Sequence, residues 1–471
     1  MRTLGNPAIW LLALLVAFGP KTVYGRTIVI QGPNQLKSLD WAKPGDIVTL
    51  KNGNWINAKI TVKKGGLSGK PVEIRAESPG GVVLMGASSL EINAPNVIVD
   101  GLFFHKGALA QGAVIQFNSY HDIVRNTAIV DYNPAKFETR YYWVYFSGDY
   151  NLVDRCYFKG KNNLEPLIGN NLEGSRHNSV LHSYFKDIPY ADGNGREILR
   201  IWGSGKYSEA ANDGAFFTIA DNLFDHADGE GAEIISLKSN HNQVLRNTII
   251  ATRGCINIRR GDFNVIQGNI ILGKSVDGAR GLRMSGEHNL VQSNYVSGCE
   301  YGIEVSCGEY IARPLTGKYK PDIKKAEKAQ RRIPSYPQNR DVTIAENVLV
   351  GNSGADMTIG SGYKKHWPEQ QDVLLPEACL IRSNRLVRPK GGDSVIGTIP
   401  DTSPPLGQFK FQPNQYIGNL LVGGTNAFAA SAGGFKSQPC PAEWSEAQEI
   451  SKFKPLSPAD VGPDWLRDKR L

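Results

Sequence analysis

The common signatures of zinc sites and disulfide scaffolds are missing from this chain of 471 residues. Its six cysteines stand singly, without a CxxC pair, and no HExxH motif or cluster of histidine and cysteine occurs, so a zinc site has little support. A disulfide scaffold is unnecessary at this length. Cys299 and Cys307 are near enough in sequence to pair after export, but buried free thiols fit equally well, and the sequence leaves both states open.

Long hydrophobic runs are also missing, apart from one run near the start. Arg2 precedes the apolar residues 8–18, and small residues around Gly25 suit cleavage, so residues 1–25 are predicted to be a signal peptide. The run is too short to span a bilayer, and no cysteine follows it that could carry a lipid anchor. We therefore predict an exported protein, periplasmic or secreted, with no membrane span once the signal is removed.

Methionine is scarce, with 4 residues, whereas glycine, with 51, and asparagine are plentiful. This mixture favours many tight turns over long helices. Without Arg2 and Lys21 the chain carries 51 basic and 45 acidic side chains, a net charge of +6. A modest positive excess suits a polyanionic partner, but many soluble proteins are mildly basic, so charge alone does not choose a partner.

A short phrase recurs along the chain: a polar residue, alternating apolar residues, a closing asparagine, and more apolar residues. The closing positions Asn222, Asn247, Asn269 and Asn294 are separated by 25, 22 and 25 residues. Such self-similarity, with two or three short strands per copy, indicates stacked coils rather than propeller blades, which need about 40–45 residues each. The prediction is an all-β, right-handed parallel β-helix, because polar turn residues, asparagine especially, tolerate left-handed conformations and can hydrogen-bond between coils.

The repeat also predicts the organisation of the chain. Residues 26–430 are expected to form the β-helix domain, and within it residues 26–90, which lack clean copies of the phrase, suit an N-terminal cap region. Residues 431–471, rich in proline and charge, are predicted to be a C-terminal tail or cap.

Stacking of the coils brings distant basic residues together. Lys238, Arg259 and Arg283 lie 9, 10 and 11 residues before successive closing asparagines, so they should line one wall at the inter-strand spacing of about 4.8 Å. Like charges so close repel unless an anion joins them, and a carboxylated ligand would do so. Glu233 and Lys238 have opposite strand parity, so a bend near Ser236 is needed for both to face outward.

Seven segments, taken together, resemble polysaccharide lyase family six, which includes alginate lyases and chondroitinase B. They span much of the chain in the family's order: residues 43–55, 69–77, 96–104, 156–163, 194–202, 233–239 and 281–283. The resemblance implies β-elimination on a uronate-containing polysaccharide. It assigns Lys238 as the base and Arg259 as the acid, or as the group that supports protonation of the leaving oxygen. A lysine is a base only when its pKa lies below the usual 10.4, which neighbouring cations favour.

The resemblance also implies Ca²⁺, bound by Asn194, Glu230 and Glu233. The family commonly shows Glu-x-Glu, whereas here Gly231 and Ala232 separate the two glutamates. A bulge at Gly231 would restore Glu230 as a ligand. Otherwise the site is weak or metal-free, and an arginine takes over neutralisation of the carboxylate.

The remaining residues expected at the site would bind substrate. Arginine is suited to bidentate contact with uronate carboxylates. Tyr142 lies in an aromatic run that offers either sugar-stacking faces or packing under a loop. Arg260 stands where the family often has histidine. The predicted substrate-binding residues are Arg200, Arg283, Lys161, Arg260 and Tyr142.

Several functions remain open beside alginate cleavage. Dermatan or chondroitin sulfate is the alternative substrate, and a C5-epimerase or a non-catalytic uronan-binding β-helix is the alternative class. A glycoside hydrolase would need two carboxylates across the cleft, which a lysine and arginine pair fits poorly. The expected partner is an acidic polysaccharide, alginate before the others, and not a nucleic acid.

Overall fold

The computed structural model describes residues 25–171, 175–203, 214–309, 336–362, 373–397, 412–431 and 433–467. The predicted signal peptide lies outside these ranges, except for its last residue. No helix in the described ranges is long and apolar enough to cross a membrane. The structure is built almost wholly of strands, which form three long parallel sheets.

Each coil of the chain contributes one strand to sheet A, one to sheet B and one to sheet C, and then rises to the next coil. This arrangement confirms the predicted parallel β-helix. Sheet A contains Thr27–Ile30, Ile47–Leu50, Val72–Ala76, Val97–Asp100, Ile123–Arg125, Leu152–Asp154, Ser179–Leu181, Thr218–Ala220, Gln243–Leu245, Val265–Gln267, Leu290–Gln292, Thr343–Ala345, Leu380–Arg382 and Gln415–Ile417. Sheet B contains Gly53–Ile56, Val82–Gly86, Leu102–Gly107, Ala128–Val130, Tyr157–Lys159, Tyr184–Ile188, Leu223–Ala227, Thr248–Ile250, Ile270–Leu272, Tyr295–Ser297, Val348–Val350, Arg385–Val387, Asn419–Val422 and Phe435–Gln438.

Sheet C carries the surface that matters for function. It contains Lys59–Val62, Ser89–Ile92, Ala113–Phe117, Tyr142–Phe146, Ile168–Asn170, Leu199–Trp202, Glu233–Lys238, Gly254–Arg260, Ala279–Met284, Ile303–Ser306, Met357–Ser361, Asp393–Gly397 and Thr425–Asn426. A separate antiparallel pair joins Gly308–Glu309 to Val373–Leu374. The short helices are the 3-10 helices Pro33–Trp41, Ala429–Ser431 and Asp464–Leu466 and the α-helix Glu446–Ile450.

Identical positions of successive coils stack inside the helix. Val244 and Ile266 are fully buried in sheet A, and the rings of Phe185 and Phe224 stack in sheet B with centroids 4.6 Å apart. The cysteines join this interior as free thiols, five of the six being buried. Cys299 and Cys307 are therefore not bonded to each other, and the stability of the coils rests on packing and hydrogen bonds.

The closing asparagines form a buried ladder of hydrogen bonds between coils, as predicted. The backbone N–H of Asn222 donates to Asn247 Oδ1 at 3.1 Å, and that of Asn247 donates to Asn269 Oδ1 at 3.0 Å. The ladder continues to Asn419. In the turns that close at Asn222, Asn247, Asn269 and Asn294 the left-handed residue is the one before the asparagine, such as Arg246 with φ 52°.

The predicted N-terminal cap region, residues 26–90, forms the first coils of the β-helix domain. Its strands, from Thr27–Ile30 onward, pair within the same three sheets as the rest of the helix. The 3-10 helix Pro33–Trp41 is the capping element, and its Leu39 is buried in the core against the first strands. The asparagine phrase does not reveal these coils, because a serine or an aspartate accepts the hydrogen bond at their turns. Ala58 N–H, for example, donates to Ser88 Oγ at 2.9 Å.

The C-terminal segment runs back along the outer face of sheet B. After its strand Phe435–Gln438 it bonds to coils far away in sequence: Leu456 N–H donates to Thr248 Oγ1 at 2.9 Å, and Trp465 Nε1–H donates to the Asn126 carbonyl at 2.7 Å. The segment predicted as a tail or cap therefore covers an apolar side of the solenoid, including Tyr184.

A second buried ladder of hydrogen bonds between coils includes an aspartate, Asp122. Asp122 Oδ1 accepts from Val97 N–H at 2.9 Å, and Asp122 N–H donates to Asn151 Oδ1 at 3.0 Å. The equivalent position on later coils is asparagine, whose amide donates as well; Asn151 Nδ2 donates to the Ser119 carbonyl. Asp122 Oδ2 is buried without a hydrogen-bond partner among the described residues. Burial accordingly raises the pKa of Asp122 to about 8.

We expect Asp122→Asn to stabilise the protein increasingly as pH rises. Because the folded-state pKa is raised, the contribution of Asp122 to stability is complete below about pH 4 and is lost as pH rises through about 8. The gain in free energy of unfolding at pH 9 should be about 2–5 kcal/mol. Melting temperatures measured from pH 4 to 9 check this, with the exposed Asp40→Asn as control. A gain that does not depend on pH would contradict it.

Candidate active site

A pocket of about 430 Å³ opens on the outer face of sheet C. Three neighbouring strands form its floor: Leu199–Trp202, Glu233–Lys238 and Gly254–Arg260. It brings together residues that are up to 143 positions apart in the sequence. The lining residues are Gly193, Asn194, Trp202, Glu230, Ala232, Glu233, Lys238, Arg259, Arg260 and Tyr336.

A register shift aims the basic residues into this pocket. Leu237 pairs with Ile258, but Lys238 pairs with Arg260, so Arg259 is the extra residue of a bulge. Such bulges re-aim side chains next to active sites. Here the shift lets Arg259 and Arg260, which are consecutive, line the same pocket. A second register shift, between Glu233 and Ile235, lets Glu233 and Lys238 face the pocket together, so the irregularity lies before the predicted bend near Ser236.

Lys238 lies at the centre of the pocket and is tied to an acid. Its side chain is 14% exposed, and its Nζ donates to Glu197 Oε1 at 2.9 Å. The Trp202 ring lies beside it, with the ring centroid 4.9 Å from Nζ. The lysine is thus held by a buried carboxylate and an aromatic face.

Glu197 is a functional candidate that the sequence reasoning missed. Its side chain is only 1% exposed, its Oε1 accepts from Lys238, and its Oε2 lies 3.5 Å from Arg200 Nη1. Within the described ranges that Oε2 has no hydrogen-bond partner. A buried carboxylate is costly unless it is paired or binds a cation. The signal that could have found it is its place within residues 194–202, between the predicted site residues Asn194 and Arg200.

Three carboxylates converge at one end of the pocket. Oxygens of Glu197, Glu230 and Glu233 lie within 4.8 Å of one another. Gly231 takes a left-handed φ of 71° and lies in the turn before the strand Glu233–Lys238, so a turn and not a β-bulge separates Glu230 from Glu233. Glu230 Oε2 accepts from Gly195 N–H at 2.7 Å. Burial, followed by the charge of Glu197, raises the pKa of Glu230 to about 7.

These carboxylates fit a hard divalent cation. Asn194 lines the same pocket and adds an amide oxygen to the three acids. Oxygen ligands of this kind suit Ca²⁺. Burial, followed by the charge of Glu197, disfavours the ionised form of Glu230, and a bound cation would offset both effects. The residues predicted to bind metal are thus brought together, with Glu197 as an addition.

Arg259 and Arg283 lie on neighbouring coils and meet one aromatic ring. The Tyr336 centroid is 3.4 Å from Arg259 Cζ and 5.1 Å from Arg283 Cζ. Arg259 Nε lies 3.7 Å from Glu233 Oε1, and Arg283 Nε lies 3.9 Å from Glu304 Oε2. The repulsion expected between the stacked cations is therefore offset by carboxylates and by a ring face.

Arg260 and Arg200 differ in their access to the pocket. Arg260 lines it, with Cζ 5.1 Å from the Trp202 centroid. Arg200 is 16% exposed, and its Nη2 donates to Tyr142 Oη at 3.0 Å and to Glu165 Oε1 at 3.1 Å. Neither Arg200 nor Tyr142 is among the lining residues, so both support the wall beside the pocket.

Lys161 is placed away from the pocket, which corrects its predicted role in substrate binding. It is 2% exposed, and its Nζ donates to the backbone carbonyls of Asn163 and Glu165. Burial, and then the charge of Arg196, lowers the pKa of Lys161 well below its usual value. The sequence offered no means of telling a buried loop lysine from a substrate ligand.

Comparison with known proteins agrees with this geometry. The family model of chondroitinase B matches residues 33–390. A PL6 family polysaccharide lyase from Pseudopedobacter saltans is 40% identical, with a TM-score of 0.81, over 93% of this chain and 99% of its own. The chain belongs to polysaccharide lyase family 6. It is accordingly a carbon–oxygen lyase. No curated protein sequence matches it significantly.

Two further solved structures share the fold of this lyase. A mannuronic acid-specific family 6 lyase from the human gut microbiota has a TM-score of 0.75 at 24% identity, over 93% of this chain and 96% of its own. A PL6 alginate lyase in complex with a trisaccharide has a TM-score of 0.69 at 19% identity, over 93% and 95%. Membership of the family excludes the epimerase and the non-catalytic binding protein as descriptions of its class.

Proposed function

We propose that this lyase cleaves alginate by β-elimination, with Lys238 as base and Arg259 as acid. The observation that carries the proposal is that both side chains line one pocket beside three clustered carboxylates. β-Elimination needs a base at C5, a neutralised uronate carboxylate and a proton for the departing O4. The pocket offers a group for each of these needs.

Lys238 is the base of the proposed reaction. Its Nζ, in the neutral form, takes the C5 proton, and the electron pair of the C5–H bond forms the C4–C5 double bond. Glu197, 2.9 Å from Nζ, fixes the position of the amine, and the flat face of Trp202 limits where it can move. A base held in this way needs little reorganisation when the substrate arrives.

Arg259 supports the departure of O4. The C4–O4 bond breaks with its electron pair on the oxygen, and the guanidinium stabilises the developing charge. Because a guanidinium gives up its protons reluctantly, the proton reaches O4 through water held by Arg259. Arg260, on the same wall, is placed to bind a carboxylate of a neighbouring sugar.

We also propose a Ca²⁺ site formed by Asn194, Glu230, Glu233 and Glu197. When bound, Ca²⁺ would neutralise the uronate carboxylate and so make the C5 proton more acidic. The support for it is the convergence of three carboxylates and the raised pKa of Glu230.

Alginate is preferred because the pocket wall is densely cationic. Lys238, Arg259 and Arg260 all line it, and Arg283 follows on the next coil. Every sugar of alginate carries a carboxylate, whereas uronates alternate with N-acetylated amino sugars in dermatan and chondroitin sulfate. Consecutive cations therefore match consecutive carboxylates. An extracellular polymer as substrate also supports the predicted export to the periplasm or medium, with residues 1–25 as the signal.

Replacing Lys238 should abolish the reaction. We expect Lys238→Ala and Lys238→Arg to lower kcat by at least about 1000-fold, because neither side chain serves as a base at C5. Ultraviolet absorbance of unsaturated uronate ends measures the product. Lys238→Arg keeps a cation beside Glu197, so its loss of activity cannot be attributed to an unpaired buried acid.

The control for this test is Lys186→Ala, which removes a lysine from sheet B, outside the pocket, and should leave kcat unchanged. Substantial unsaturated product from either Lys238 variant would contradict the base assignment.

Calcium should stabilise the folded protein through Glu230. We expect millimolar Ca²⁺ to raise the melting temperature of the chelator-treated wild type by about 2 °C or more, since a ligand at 100 times its dissociation constant adds about 2.7 kcal/mol. Glu230→Gln should remove most of that shift, whereas Glu91→Gln, an exposed change elsewhere on sheet C, should keep it. Equal shifts in wild type and Glu230→Gln, or undiminished activity after chelation, would count against the site.

The proposed substrate predicts that the enzyme prefers alginate to dermatan sulfate. We expect kcat/KM on alginate to exceed that on dermatan sulfate by about 100-fold or more, because the sulfate esters of the amino sugars stand at other ring positions than the carboxylates of alginate and pair less well with the pocket cations. Product formation from both polymers under the same conditions measures the ratio. A ratio below one would make the sulfated polymer the substrate and leave the lyase chemistry in place.

A further inference from the structure

Tyr336 lines the pocket from outside sheet C and from outside the two turns, around Asn194 and Glu230, that complete it. Its ring centroid is 3.4 Å from Arg259 Cζ, within the distance of direct stacking, and 5.1 Å from Arg283 Cζ. The residue is half-buried and lines the same pocket as Lys238. Guanidinium groups from two successive coils therefore meet one aromatic ring beside the reacting groups.

Arg259 makes two contacts of different kinds, one with a carboxylate and one with an aromatic ring. Glu233 Oε1 lies 3.7 Å from Arg259 Nε, at the edge of the guanidinium, whereas the ring of Tyr336 stacks on the face of that group. A carboxylate alone leaves the plane of a guanidinium free to turn about the ion-pair direction. An aromatic face fixes that plane, because stacking requires the two flat groups to stay in contact.

We propose that Tyr336 is a positioning residue that holds the Arg259 guanidinium in the orientation needed at the departing O4. The inference rests on the proposed function of Arg259 and extends it to a residue contributed from beyond the sheet. Arginine has a long, flexible side chain, and a displacement of about 1 Å at a catalytic group costs about 100-fold in rate. Tyr336 limits this displacement.

The ring of Tyr336, and not its hydroxyl, carries this role. Both arginine contacts are made to the ring. The face that Arg259 covers is closed to a sugar, so stacking on the substrate is not its function there. Phenylalanine should therefore replace tyrosine with little loss, whereas leucine, similar in bulk but without a π face, should not.

Steady-state kinetics on alginate with Tyr336→Leu and Tyr336→Phe tests the proposal. We expect Tyr336→Leu to lower kcat about 10- to 100-fold with KM within about 3-fold of wild type, and Tyr336→Phe to stay within about 3-fold in both. Loss of kcat in Tyr336→Phe would overturn the proposal, since the hydroxyl would then act. A raised KM with unchanged kcat in Tyr336→Leu would also overturn it, since the ring would then only bind substrate.

A double-mutant cycle shows whether Tyr336 acts through Arg259. In the Arg259→Lys background, where the planar group is gone, Tyr336→Leu should lower the residual kcat by less than about 2-fold. Losses that multiply independently would contradict the proposal. Residual rates are followed over long incubations by absorbance of the unsaturated ends.

The control is Tyr120→Leu, which removes an exposed tyrosine outside the pocket and should leave kcat and KM unchanged. Melting temperatures confirm that the variants fold. If Arg259→Ala keeps wild-type kcat, the acid role fails, and the positioning role fails with it. If Arg259→Ala is inactive and Tyr336→Leu has wild-type kcat, only the inference about Tyr336 fails.

Discussion

Hydrogen bonding between successive coils is the constraint on which the rest of this lyase depends. The buried asparagine ladder pairs each turn with the next, so Asn222, Asn247 and Asn269 lock the coils to a common register. Each buried amide must keep its partners, because an unpaired polar group in the core is costly. Variable loop lengths between coils therefore leave the register unchanged. Trp202, Lys238 and Arg260 become neighbours for this reason, although 36 and 22 residues separate them in sequence.

The same close spacing that forms the wall also concentrates charge on it. Cations on strands about 4.8 Å apart destabilise a folded sheet unless they are paired. Here Glu197 pairs with Lys238, Glu233 lies near Arg259, and aromatic rings cover the flat faces of the guanidiniums. The acids in turn form a cluster in which burial, followed by the charge of Glu197, raises the pKa of Glu230. A cationic wall and an anionic cluster thus stabilise each other and leave a site that suits both a carboxylated sugar and a cation.

The features of the fold and of the site that the sequence made predictable are those that depend on its repeat. The closing asparagines recur at nearly constant spacing, so the β-helix and the common wall of Lys238 and Arg259 were predictable. Glu197 could have been predicted as a site residue, because it lies within residues 194–202, one of the segments that resemble the family. Nothing in the local sequence, however, distinguishes it from an acid at the end of a strand. Tyr336 was not predictable, since it lies 77 residues after Arg259 in a segment outside the repeated strands. Lys161 shows the opposite error, because its burial depends on carbonyls of a loop whose path the repeat does not set.

The bulge at Arg259, opposite the step from Leu237 to Lys238, gives this part of a regular solenoid the side-chain arrangement of a candidate active site. In a regular strand consecutive side chains point to opposite faces, so only one of Arg259 and Arg260 could face the pocket. The register shift places both there and leaves Lys238 opposite Arg260. Its cost is a local break in the ladder, which the flanking coils tolerate because their own register is held by the buried asparagines. A site of this kind therefore needs both a rigid repeat and local departures from it, and the paired strands Glu233–Lys238 and Gly254–Arg260 supply two such register shifts.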